Sequence, residues 1–131
     1  MIGLDTSVIV RYLVGTPAAQ ARRAAALIDA AGDLGVPLVV LVETAHVLRT
    51  QYGVPRADIV NTLIELVTRE NVVVLGLPKA DALEALVRAR SLPGSPIPDA
   101  FVAATARWGV ALPLYTFDEE LHRHGVPVAT P

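Results

Sequence analysis

Ile2-Gly3-Leu4-Asp5-Thr6-Ser7-Val8-Ile9-Val10-Arg11-Tyr12-Leu13-Val14-Gly15 carries the pattern on which the fold turns. Ile2 to Leu4 is an apolar run too short for a helix and predicts a buried strand. Asp5-Thr6-Ser7 interrupts it with turn formers, an apolar helical segment follows from Val8 to Val14, and Gly15 closes that segment. A strand is thus followed at once by an acid and then by a helix.

The same alternation continues down the chain. Thr16-Pro17 restarts a helix, with Thr16 as cap and Pro17 at the first helical position, and an Ala-rich run continues to Ala31 before Gly32. Pro37 to Val40 predicts a second strand, and from Leu41 the pattern is helical until Gly53. Pro55 opens a helix to about Arg69. Asn71 to Leu75 is β-branched, short and bounded by turn formers, and predicts a third strand. Pro78 starts a helix to about Arg90. Ser91 to Pro98 holds three prolines and a glycine and reads as a loop that delivers the chain to Asp99. Asp99 to Trp108 is helical and ends at Gly109. Leu112 to Phe117 predicts a fourth strand, Asp118 to His124 a last short helix, and Val126 to Val128 a tail.

Strands separated by helices imply right-handed crossovers and a mostly parallel sheet covered on both faces. The expected class is α/β, a three-layer α/β/α sandwich formed by one domain over residues 1–131. The 131 residues are 53% hydrophobic and 18% charged, with a mean hydropathy of +0.49, which excludes general disorder. No apolar run approaches the roughly 20 residues of a membrane span. A missing basic leader segment and the lack of cysteine fit a cytoplasmic setting, and exclude disulfides, thiolate metal sites and a cysteine nucleophile. The high apolar content also hints at a second buried surface, against a partner.

In such folds the functional crevice lies beyond the carboxyl ends of the strands. Neither a phosphate-binding glycine loop nor a nucleophile elbow stands there. Acids do. Asp5 follows the first strand and Asp118 the fourth, so both are expected at one edge of one sheet. Glu43 lies inside an apolar helix, and Asp99 opens another. Ionised carboxylates in apolar segments are costly without a partner. A pair at about 4 Å repels by roughly 4 kcal/mol at an effective dielectric near 20, so four together call for a cation. Oxygen-only donors favour Mg²⁺, with Mn²⁺ as a substitute, and such an ion activates water and shields phosphate. With these four of the 13 acids set aside, 11 basic side chains face nine acids, which permits a polyanionic substrate.

Simpler roles exist for each residue. Asp5, Asp99 and Asp118 each precede a helix and can cap it, whereas capping cannot explain Glu43, which a salt bridge would. Thr6 and Thr116 either orient a metal-bound water or cap helices, and Thr116 with Glu119 has capping-box spacing. His46 is expected to pack or to line the rim rather than to bind metal, and His122 and His124 are expected to face solvent.

Leu4 to Leu13, Val42-Glu43 with Val47-Leu48-Arg49, Pro98 to Ala106, and Tyr115-Thr116-Phe117-Asp118 together resemble, in order and spacing, a PIN domain. The likeness is greatest to the VapC-type toxin ribonucleases of bacterial type II toxin–antitoxin pairs, and it spans nearly the whole chain. The resemblance implies a Mg²⁺-dependent endoribonuclease, a homodimer, and inhibition by a small cognate antitoxin protein. It makes Asp5, Glu43, Asp99 and Asp118 the catalytic metal ligands, and implies products with 5′-phosphate and 3′-hydroxyl ends. Ser7 stands where many relatives have Asn. Pro96 stands where close relatives often add an acid, which bears on a second metal. Glu119 and Glu120 replace frequent basic residues, and Glu120 is itself a candidate ligand.

Two alternatives share the fold: a DNA-directed nuclease, and a non-catalytic module that binds RNA or protein. A phosphoacceptor receiver is disfavoured, because it needs a lysine late in the chain and the only lysine is Lys79.

Overall fold

Leu34 to Pro37 forms the central strand of a three-stranded parallel sheet in the computed structural model, which describes residues 1–30 and 32–131. This strand, β2, lies between β1 (Ile2–Gly3) and β3 (Val72–Leu75), with Ile2 opposite Leu34, and Leu34 opposite Val72. Leu34, Val36 and Val72 are nearly fully buried, and Val74 is buried with them. Period-two alternation puts all four on one face. On the other face, Leu75 lies across Gly35, where an added Cβ would meet the Leu75 Cδ1 at 3.1 Å and the Met1 Sδ at 3.3 Å. Val73 and Leu75 keep more than a third of their surface exposed, so cover on that face is partial at the β3 edge.

The helices between strands supply most of the core. α1 (Thr6–Val14) ends on Gly15, whose left-handed φ of 83° favours a residue without Cβ. α2 (Ala18–Asp29) follows, then α3 (Leu38–Thr50) and α4 (Arg56–Thr68) between β2 and β3, and α5 (Lys79–Ser91) and α6 (Ile97–Trp108) after β3. Ile9, Ile28, Leu41, Leu48, Ile59, Leu63 and Leu86 join one buried cluster with β2 and β3. α1 packs on α2 and α3, α4 on α5, α5 on α6, and α6 on α3. The class is the expected α/β sandwich.

Proline sets several helix starts differently from expectation. Pro17, Pro37, Pro55, Pro78 and Pro96 all occupy the residue before a helix, with φ near −60° and ψ near 140°. Thr16 therefore caps nothing, and the second strand ends at Pro37 rather than running to Val40. The β-branched Val39 and Val40 suggest strand, yet the chain turns helical at Leu38. The Ala-rich helix ends at Asp29, and its expected limit at Ala31 lies outside the described residues. Pro96 likewise starts α6 two residues before Asp99, which is its third residue rather than its first.

The C-terminal part departs most. β4 (Leu114–Tyr115) is shorter than the expected Leu112 to Phe117, and it pairs in parallel with β5 (Val128–Ala129) instead of joining the larger sheet. Asp5 and Asp118 thus follow strands of two separate sheets. A 3-10 helix, Glu119–His124, links this pair and closes on Gly125 at φ 77°. Among the described residues, no helix is long and apolar enough to cross a membrane.

Candidate active site

Asp5 stands where β1 gives way to α1. The Leu4 N–H donates to Gly35 O at 2.8 Å, extending the ladder, and the Asp5 carbonyl then accepts from the Val8 and Ile9 N–H groups at 3.1 and 3.3 Å. The backbone of Asp5 starts the helix, while its carboxylate caps no N–H and accepts only from the Ser7 hydroxyl at 3.3 Å. Capping does not explain this side chain.

Glu43 lies in the second turn of α3, exposed, and makes no salt bridge among the described residues. The salt-bridge explanation for Glu43 therefore fails. The residue after each of these acids is a buried threonine. Thr6 is 5% exposed and Thr44 fully buried, and neither hydroxyl has a hydrogen-bond partner. Buried hydroxyls are seldom left so. Thr44 escaped the sequence reading because a threonine in an apolar helix carries no pattern of its own.

Asp99 lies near enough to Asp118 to feel its charge. Partial burial of the Asp99 carboxyl raises its pKa, the negative charge of Asp118 raises it further, and His124 opposes both. Asp118 does cap: its Oδ1 accepts from the Glu120 N–H at 3.1 Å. Its own N–H donates to the Thr116 hydroxyl at 2.9 Å, so Thr116 orients the acid instead of forming a capping box with Glu119. Glu120 pairs with Arg123 at 3.1 Å.

The histidines divide. His46 and His122 are exposed, and His122 Nδ1 lies 2.6 Å from Glu119 O. His124, expected to face solvent, is fully buried and lies 2.7 Å from the Ser95 hydroxyl. Its helix is short and polar, so its burial comes from packing against α6 and could not be read from local sequence. Lys79 also has a structural task, donating to Arg69 O at 2.6 Å and Val72 O at 3.0 Å.

Among the described residues, no three carboxylate or imidazole side chains stand close enough together to hold a metal ion. The arrangement brings Asp99 towards Asp118 and leaves Asp5 and Glu43 as exposed acids on neighbouring elements, since α3 packs against both α1 and α6. The donor chemistry fits a hard dication, because these are carboxylate oxygens and, among the described residues, no lysine or arginine makes a salt bridge to any of the four.

A family model, described as PIN domain, matches residues 2–127. The chain belongs to the PIN-domain family. PIN domains are generally nucleases that use divalent metals, so this fold implies a nucleic-acid substrate. No curated protein and no solved structure gave a significant match.

Proposed function

We propose that this PIN domain is a Mg²⁺-dependent endoribonuclease, acting as the toxin of a type II toxin–antitoxin pair. The observation that carries the nuclease reading is the pair Asp99 and Asp118, without a salt bridge among the described residues, in a family-matched chain whose Asp5 and Glu43 also make none there. Asp5, Glu43, Asp99 and Asp118 would hold the ion by closing on it from their neighbouring elements, with Mn²⁺ able to replace Mg²⁺. When bound, the ion supplies Lewis-acid activation of water and stabilises charge on the phosphate oxygens.

The chain's own residues prepare the site. Repulsion between Asp99 and Asp118 disfavours the empty, fully ionised state and so favours a cation. Thr116 holds the Asp118 backbone, and the Glu120 N–H holds one of the two Asp118 carboxylate oxygens, leaving the other available. Ser7 steadies Asp5. In-line attack then needs a phosphodiester seated beside these carboxylates.

The toxin role and the antitoxin partner rest on the resemblance of the acid-bearing segments to VapC-type chains. A second copy of this chain is the proposed occupant of an apolar groove of about 680 Å³ between α3 and α6, where Val39 is 67% and Val102 46% exposed. Continuous apolar surface of this kind is characteristic of interfaces.

Matched single-stranded RNA and DNA incubated with the purified chain and Mg²⁺ test this reading. RNA cleavage that EDTA stops and Asp5→Asn abolishes is expected. DNA cleavage alone would point to the DNA-directed alternative, and two intact substrates to the binding module.

A further inference from the structure

We propose that the cleft between α3, the start of α4 and the proline-rich loop before α6 is a phosphate subsite that seats the substrate strand beside the acids. This rests on the nuclease reading and deepens it. The cleft has a volume of about 420 Å³, and Arg49, Arg56 and His46 line it together with Ser95 and Pro96; no carboxylate does. It is a basic hollow in a chain whose formal net charge is −2.

The two arginines are short of counter-ions. Arg49 is exposed and makes no hydrogen bond or ion pair among the described residues. Arg56 is half-buried, and its guanidinium donates to Ala89 O at 2.9 Å and Leu92 O at 3.1 Å, both neutral acceptors. Burial pushes its pKa down, as expected for a cation withdrawn from water without an anion beside it. Guanidinium groups bind phosphate through two parallel N–H donors, so an incoming phosphate would use donors the fold leaves open.

Position favours a nucleic-acid strand over an acidic peptide. The cleft wall includes Val42 and Pro98, the residues immediately before Glu43 and Asp99. His46 and Arg49 continue along α3 from Glu43 at three-residue spacing, which places successive side chains on adjoining parts of one helix face. The acid edge and the basic hollow are therefore contiguous. A strand with one phosphate at the acids carries others at every neighbouring nucleotide, and a cleft of this sign beside the acids meets the next one.

The test measures binding of a short single-stranded RNA as a function of salt, in an Asp99→Asn parent that does not cleave it. Arg49→Gln in that parent should weaken binding and reduce the slope of log affinity against log salt by about 0.7, the loss of one phosphate contact to a single strand. His46→Gln with Arg49→Gln should weaken it further, and thermal melts should match the parent because Arg49 is exposed and makes no hydrogen bond or ion pair among the described residues. An unchanged slope with RNA still bound overturns the cleft and leaves the nuclease reading standing. Failure of the parent to bind RNA at all overturns both. Loss of binding to a polyglutamate peptide, with the RNA slope unchanged, also overturns the proposal and assigns the cleft to an acidic protein segment.

Discussion

Ser95 Oγ lies 2.7 Å from His124 Nε2, and both side chains are buried. The pair joins the loop that leads into Asp99 to the 3-10 helix that follows Asp118. Arg107 strengthens the junction by donating to the His124 carbonyl at 2.8 Å, and Glu84 bridges Arg107 and Arg88 at 3.6 and 3.2 Å. His124→Ala removes a buried ring and strands the Ser95 hydroxyl, at an expected cost of about 2–4 kcal/mol. Denaturant unfolding checks this, with His124→Gln, which keeps a polar atom near the Nε2 position, expected to cost less. Equal losses in the two variants would contradict a contribution from the hydrogen bond to Ser95.

Stability should fall on acidification through His124. Burial lowers its pKa below 6.5, aided by Arg88, Arg123 and Arg56 and opposed by Asp99. The unfolded chain then binds a proton below about pH 6.5 that the folded chain refuses, so stability is full above that value and declines as pH drops towards the folded pKa. Asp99 acts oppositely in a lower window: its raised pKa means that the folded state holds a proton the unfolded state has lost. Melting temperature measured from pH 7.5 to 5 should decline, and His124→Gln should flatten the decline. A wild-type curve that is level over that range would refute this assignment.

The C-terminus of α6 stores strain. Gly109, the expected stop, has φ −79°, and the left-handed residue is Val110 at φ 55°. The Ala111 N–H donates to Ala106 O at 2.9 Å and the Val110 N–H to Arg107 O at 3.1 Å, the pair of bonds that puts a glycine-type position at Val110. A β-branched residue there costs roughly 1–2 kcal/mol, and Val110 is 83% exposed, so little packing compensates. Val110→Asn should stabilise the chain by about 1 kcal/mol. Chemical denaturation checks it, and a destabilised variant would contradict the strain.

Legibility in the sequence followed the range of the forces involved. Gly15 and Gly53 mark helix ends because a left-handed backbone demands glycine locally, and β3 was readable from a β-branched run with turn formers on both sides. Pro37 misled by one element, because its preset φ starts a helix through residues whose own propensity favours strand. Partners separated widely in sequence were unreadable: β4 with β5, Ser95 with His124, and Arg56 with the Ala89 and Leu92 carbonyls are decided by tertiary packing. The four acids were readable as misfits in apolar segments, whereas the relation of Asp99 to Asp118 required the folded chain.

Val102→Lys places a charge in the apolar groove between α3 and α6 and should convert the proposed dimer into a monomer. Sedimentation equilibrium measures this directly. A wild-type chain that is monomeric at every accessible concentration would remove the second copy as the occupant of that groove.

The proposal that the acids share one dication is tested most directly by the effect of Mg²⁺ on thermal unfolding of the wild type beside Asp99→Asn and Asp118→Asn. The wild type should gain about 2.7 kcal/mol at a hundredfold excess of ion over its dissociation constant, and the variants little. Without metal, Asp99→Asn should match or exceed the wild type, because one of two repelling charges is gone. A wild type indifferent to Mg²⁺, or variants stabilised as much as the wild type, would contradict a metal centre built on these carboxylates.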